Sequence, residues 1–119
     1  MRDERRITKR HKFGYYMRVI NNNTHEFIGY LSDISPRGFK LDSQKALTIK
    51  YDYTLRLDLT SEISNRSYII FVARAMWGQP DPINPNEYIQ GFQIVSILPG
   101  EQEIYQRIVE KYGIPESKW

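Results

Sequence analysis

Six short segments rich in aromatic and β-branched residues follow one another along the chain, with turn-forming residues between them and no helical stretch. Residues 51–59 show the clearest alternation, because Tyr53 and Leu55 point to one side while Thr54 and Arg56 point to the other. Consecutive strands without intervening helices exclude a parallel α/β arrangement and predict a mainly β fold, either an antiparallel barrel or a sandwich. The predicted strands are residues 13–20, 26–31, 38–41, 51–59, 67–77 and 87–97.

One of these segments differs from the others in its pattern. Residues 67–77 (SYIIFVARAMW) are apolar at both alternating sets of positions over much of their length, which predicts a central strand covered on both faces. The loop that follows, residues 78–86, holds three of the six prolines. A closed barrel would leave no strand edge exposed to solvent.

Only the C-terminal part of the chain has a helical pattern. Pro99 and Gly100 are expected to end the last strand, and the acidic residues that follow favour a helix start. Ile104, Ile108 and Tyr112 share one stripe at a spacing of four residues. The pattern predicts a helix at about residues 101–112 that plugs or flanks the barrel.

Length and composition exclude several classes of protein. The chain has 119 residues, enough for one domain, and its lack of cysteine excludes disulfides, thiolate catalysis and cysteine zinc sites. It has no Ser-His-Asp pattern, glycine-rich phosphate loop or paired carboxylates, so we do not expect an enzyme or a metal cofactor. No apolar run approaches the roughly 20 residues of a membrane-spanning helix, and no secretory signal is visible, so a cytoplasmic protein without membrane insertion is expected.

Charge is concentrated at the N-terminus. Residues 1–12 hold six basic and two acidic side chains, a net +4, whereas the remaining residues sum to −1. A basic arm on a nearly neutral body favours an anionic partner such as a phosphate, a nucleic acid or a lipid surface, although a solvated tail has the same composition. We therefore divide the chain into a flexible basic arm, residues 1–12, and a single β domain, residues 13–119.

Two short motifs stand out from this background. The arm contains Arg6 and Arg10 four residues apart, directly preceded by Arg5. The second motif, Asp33-Ile-Ser35-Pro-Arg-Gly38, joins the second and third predicted strands. Taken alone, the second motif is typical of a β-turn, in which the aspartate and serine bond their own backbone and the glycine has a positive φ.

Together the two motifs resemble the signature of the PilZ family, bacterial receptors for the second messenger cyclic di-GMP. That signature is RxxxR in an N-terminal arm followed by D/N-x-S-x-x-G at a strand junction, and here 22 residues separate Arg10 from Asp33. Residues 73–77 (ARAMW) and 91–92 (GF) match further strands of the family. The resemblance covers roughly residues 5–110 and implies a six-stranded antiparallel β-barrel with a C-terminal helix.

The resemblance also implies a binding site for cyclic di-GMP and no cofactor. An arginine fork can contact a guanine edge or a phosphate with two hydrogen bonds while its plane stacks on a base. The aspartate can accept from guanine donors, the serine hydroxyl can reach a phosphate or base, and the glycine permits close approach. The matching residues here are Arg6, Arg10, Asp33, Ser35 and Gly38.

Three more residues are candidates for the same site. In the family, an arginine before RxxxR tends to accompany two intercalated ligand molecules, so Arg5 predicts two molecules per protomer. Arg37 either faces a phosphate or is a solvated turn residue. Trp77 either flanks the ligand or packs in the core, and we favour the core because an aromatic residue that ends a buried strand usually packs there.

The implied function is that of a receptor and adaptor. The arginine arm would fold over the ligand and change how the domain docks on a protein partner, or on a second copy, in control of motility, pili, biofilm or polysaccharide. One alternative is a small barrel that binds single-stranded nucleic acid through the basic arm and tyrosines, which leaves the spacing of the second motif unexplained. Another is a PilZ-like interaction module that binds no ligand.

Overall fold

The computed structural model describes residues 17–113, which form a closed barrel of six antiparallel strands and one helix. Neighbouring strands around the barrel run in the order β1, β2, β3, β6, β5, β4, and β4 pairs back to β1. The barrel predicted from the family resemblance is therefore confirmed, and no sandwich forms. The elements are β1 (Arg18–Asn21), β2 (Phe27–Ser35), β3 (Gly38–Ser43), β4 (Tyr51–Asp58), β5 (Tyr68–Pro80), β6 (Tyr88–Ser96) and α1 (Pro99–Tyr112).

Alternation along the strands separates the core from the outer wall. In β4, Leu55 and Leu57 are buried as predicted, while Arg56 between them faces out. Strand β5 was predicted to be covered on both faces, and this is wrong. Its inward residues are buried, but Tyr68 and Met76 are each about 41% exposed, because the outer wall of a closed barrel faces solvent.

Aromatic rings fill the interior of the barrel. Phe39 and Phe92 stack with ring centres 5.1 Å apart and an angle of 7° between their planes. Phe71 meets Phe39 edge to face at 5.6 Å, and Tyr105 of α1 meets Phe71 in the same manner at 6.1 Å. The core is thus continuous from the barrel into the helix.

A buried amide ties the loop after β3 to β6. The Gln90 side chain is fully buried and donates through Nε2 to the Ser43 hydroxyl, 2.7 Å, and to the Lys45 carbonyl, 3.1 Å. Its Oε1 accepts from the Leu47 backbone N–H at 2.9 Å. These bonds fix the loop after β3 against β6.

Helix α1 packs against β2 and β5 and extends the core. Ile104 and Ile108 are buried on the predicted stripe, and Tyr105 beside them is buried as well. Pro99 and Gly100, which we expected to end the last strand before the helix, instead form its first turn. Proline suits that position because the first N–H groups of a helix have no partner within it. Within residues 17–113 no helix has the length and hydropathy to cross a membrane.

Candidate ligand-binding site

The turn between β2 and β3 carries the second motif and packs tightly against β6. Gly38 opposes Gln93 in the strand pairing, and the Arg37 carbonyl accepts from the Ile94 N–H at 2.8 Å. The predicted positive φ of Gly38 is wrong, because its φ lies outside the left-handed region. Glycine is needed there for another reason: a Cβ would overlap the backbone carbonyl of Phe92.

A tyrosine of α1 holds this turn in place by hydrogen bonds from the core side. The Tyr105 hydroxyl lies 2.9 Å from both the Ser35 and the Gly38 carbonyl oxygens, so its single proton is shared between two acceptors. The Ser35 hydroxyl is also buried and donates to the Gly38 carbonyl at 3.3 Å. Burial raises the pKa of Tyr105 well above its ordinary value, which keeps the phenol protonated as a donor.

Pro36 and Arg37 form the exposed tip of the same turn. Their backbone is held by the bonds beneath it, so the Arg37 guanidinium projects from a fixed base. The Ser35 hydroxyl, by contrast, faces into the turn.

A row of side chains crosses the outer wall next to the turn. The strand pairing aligns Asp33 of β2 with Lys40 of β3, Lys40 with Gly91 of β6, and Gly91 with Trp77 of β5. The Lys40 ammonium lies 5.8 Å from the centre of the Trp77 ring, a cation–π contact. A Cβ on Gly91 would overlap the indole, so this glycine allows the ring to lie against the strand.

Trp77 lies on the outer wall, and the favoured prediction that it packs in the core is wrong. Strict alternation after the inward-facing Ala73 and Ala75 would turn it inward. The pairing shifts between Ala75 and Trp77, however, so that Met76 is an extra residue opposite β6. This β-bulge reverses the alternation and leaves the indole half-buried on the outside.

A depression of about 290 Å³ lies beside this row, at the side of the motif turn. Its walls include a guanidinium, an amide, a thioether and an indole. The lining residues are Arg37, Met76, Trp77, Gly91, Phe92 and Gln93.

The structure brings together the five predicted site residues that lie within residues 17–113. Asp33, Ser35, Arg37, Gly38 and Trp77 lie on adjoining strands around one patch of the outer wall. Arg5, Arg6 and Arg10 lie outside the described residues.

The sequence alone did not identify Lys40 and Tyr105 as part of this site. Lys40 follows Gly38 by two positions in a strand, and that spacing alone indicates that it shares the glycine's outward face. Tyr105 adjoins the apolar stripe of α1, but no sequence signal indicates that its hydroxyl meets the turn. Within residues 17–113 no group of three or more His, Cys, Asp or Glu side chains is arranged to hold a metal ion.

Comparison with known proteins agrees with this architecture. The PilZ domain family model matches residues 4–111, which include both motifs and the whole described barrel. The chain belongs to the PilZ family. PilZ domains are binding and adaptor domains rather than enzymes, and their ligand is cyclic di-GMP rather than a cofactor.

Two solved structures share the PilZ fold with this chain. One is the inhibitor of motility MotI/DgrA from Bacillus subtilis, with a TM-score of 0.64 and 17% identity over 81% of this chain. The other is the PilZ domain of YcgR from Escherichia coli, solved with c-di-GMP, with a TM-score of 0.56 and 14% identity over 82% of this chain and 80% of that one. This PilZ domain spans only 46% of the MotI/DgrA chain. No curated protein sequence gives a significant match.

Both hydrogen bonds of the Tyr105 hydroxyl are lost when a substitution removes its single oxygen atom. We expect Tyr105→Phe to lower the free energy of unfolding by about 1–2 kcal/mol, because two buried carbonyls lose a donor. Tyr112→Phe is the matched control, since that hydroxyl donates to exposed Glu62. Urea unfolding of the three proteins measures the difference, and equal losses in both variants would contradict the account.

The same residue gives a pH dependence. Because the folded-state pKa of Tyr105 is raised, its stabilisation is complete below about pH 10, the ordinary value for tyrosine, and falls as the pH rises further. Stability of Tyr105→Phe should therefore decline less between about pH 10 and 11 than that of the unsubstituted protein.

Proposed function

We propose that this PilZ domain is a receptor for cyclic di-GMP, bound at the patch formed by Asp33, Ser35, Gly38 and Trp77. The observation that carries the proposal is the fixed turn of the second motif, which lies beside a half-buried indole and a depression on the same wall. The position of the RxxxR motif within the matched family region supports it as well.

Each side chain of the patch has a chemical role in this proposal. The Asp33 carboxylate accepts from guanine N–H groups or orients an arginine of the arm. The Trp77 indole offers a flat surface for a base, and Arg37 offers a guanidinium to a phosphate. The Ser35 hydroxyl reaches the ligand only by exchanging its bond to the Gly38 carbonyl for one to a phosphate or base.

The arm contributes the remaining contacts. Arg6 and Arg10 bind base edges and phosphates, and the N-terminal segment folds across the ligand. Residues 1–12 carry a net +4, which opposes the two phosphate charges of cyclic di-GMP. The covered ligand then changes the surface that the domain offers to a protein partner or to a second copy, in control of motility, pili, biofilm or polysaccharide.

Calorimetric titration with cyclic di-GMP tests the proposal. We expect saturable binding by the unsubstituted protein and no detectable binding by an Arg6→Ala, Arg10→Ala double variant. A Lys9→Ala, Lys12→Ala variant is the matched control, because it loses the same charge from the same segment and keeps both motif arginines. It should bind with an affinity within about threefold of the unsubstituted protein, as expected when only long-range attraction is lost.

Two results would contradict a cyclic di-GMP receptor. Absence of both heat and a shift in melting temperature at high ligand concentration would favour the ligand-free interaction module. Equal binding of GMP or single-stranded oligonucleotides, with affinity that falls steeply with salt, would favour the nucleic-acid binder.

The number of ligand molecules depends on Arg5 in this account. We expect two molecules per protomer for the unsubstituted protein and one for Arg5→Leu, because the arginine would contact the second molecule of an intercalated pair. Titration at protein concentrations well above the dissociation constant gives the ratio directly. A ratio of one in both proteins would remove the role of Arg5.

A further inference from the structure

A second depression, of about 650 Å³, lies on the outer wall across β4 and β5. Its lining residues are Lys50, Tyr51, Asp52, Arg74 and Met76. Met76 also lines the smaller depression beside the motif turn. The two depressions are therefore neighbours that share one side chain as a common wall.

Strand register relates the second depression to the motif turn. One outward row runs from Gly38 of β3 through Gln93 of β6 and Arg74 of β5 to Asp52 of β4. Neighbouring strands are about 4.8 Å apart, so Arg74 lies about 10 Å from Gly38 along the wall. A cyclic dinucleotide carries two bases on one compact ring, and it can cover such a span.

Two residues of the lining are in environments or conformations that are unfavourable for their residue types. Tyr51 is 57% exposed, although an aromatic ring gains most by burial. Lys50 before it has a φ of 61°, a left-handed conformation that is unfavourable for lysine, and its N–H donates to the Ala75 carbonyl. The loop before β4 is thus fixed so that a tyrosine and a lysine flank the depression.

Asp52 and Arg74 form an ion pair that places hydrogen-bond acceptors beside donors. Arg74 donates through Nε to Asp52 Oδ1 at 2.7 Å and through Nη2 to Oδ2 at 3.3 Å. The hydrogen bond and charge of Arg74 lower the pKa of Asp52, so the carboxylate stays ionised. An exposed ion pair of this kind contributes little to stability.

This pair retains unused hydrogen-bonding capacity. A guanidinium has five N–H donors, of which the pair uses two, and each carboxylate oxygen has a second lone pair. Guanine presents acceptors at O6 and N7 and donors at N1 and its 2-amino group. An adjoining carboxylate and guanidinium match that pattern, whereas adenine has an amino group where guanine has O6.

We propose that the depression at Asp52 and Arg74 is a second guanine subsite, which binds another guanine base of the cyclic di-GMP held at the motif turn. Asp52 accepts from N1 and the 2-amino group, Arg74 donates to O6 or N7, and the exposed Tyr51 ring stacks on the base. Lys50 supplies a cation for a phosphate. The inference rests on the proposed cyclic di-GMP receptor function.

The test combines one substitution with one ligand analogue. Asp52→Asn keeps the shape of the side chain and removes its charge, and cyclic di-IMP lacks the guanine 2-amino group. Asp58→Asn is the matched control, because Asp58 is a partly exposed carboxylate that is also paired with arginine, at the opposite end of β4 from Asp52. All three proteins are titrated with both ligands, and their melting temperatures are compared.

We expect Asp52→Asn to weaken cyclic di-GMP binding about tenfold, the usual effect of one lost charge-assisted contact, while Asp58→Asn leaves it unchanged. With cyclic di-IMP, the loss caused by Asp52→Asn should be smaller than with cyclic di-GMP, because one of the two donors opposite Asp52, the 2-amino group, is already absent while N1–H remains. Equal cyclic di-GMP affinities for the unsubstituted protein and Asp52→Asn would overturn the subsite alone. Failure of the unsubstituted protein to bind cyclic di-GMP would overturn the receptor function and the subsite with it.

Discussion

The hydrogen bonds from the Tyr105 hydroxyl to the turn between β2 and β3 connect the core of this PilZ domain to its functional surface. The hydroxyl is buried and donates to two carbonyls of the turn, of which the Gly38 carbonyl also accepts from the Ser35 hydroxyl. These hydrogen bonds hold both ends of the turn in place, and so they fix the backbone from which the Arg37 side chain projects. Helix α1 is therefore part of the foundation of the site, although it contributes no side chain to the ligand-facing wall.

The inner and outer faces of the closed sheet have different roles. Inward positions pack the Phe39 and Phe92 stack and its neighbours, and they need no functional residues. Outward positions are free to vary without loss of the core, and the site is built from them in cross-strand rows. The bulge at Met76 turns Trp77 outward, and Met76 lies between the two depressions.

The local sequence predicts the strands and the helix well, because alternation and turn residues act over a few positions. The hairpin turn at Ser35 to Gly38 and the buried stripe of Ile104 and Ile108 were found in this way. The choice of a barrel over a sandwich came only from the family resemblance, since closure depends on the pairing of β1 with β4, far apart in the chain. The motif residues were also found through the resemblance rather than from alternation.

The remaining features depend on contacts that alternation does not encode. A bulge has no distinct signature in ARAMW, so the position of Trp77 at the end of an apolar strand favoured a place in the core. Gly38 was assigned a positive φ because glycine commonly supplies one in turns, whereas here the approach of the Phe92 backbone excludes a side chain. The role of Tyr105 joins residues 67 and 70 positions apart, which only the folded chain brings together.

Chemical-shift mapping of the ¹⁵N-labelled protein during titration with cyclic di-GMP tests the central claim, that the ligand binds on the wall beside the motif turn. The account predicts the largest shifts at residues 33–40, 76–77 and 91–93, and none at Arg18 in β1 and Asp58 at the end of β4. Shifts centred on β1 and the end of β4, or spread evenly around the barrel, would contradict it.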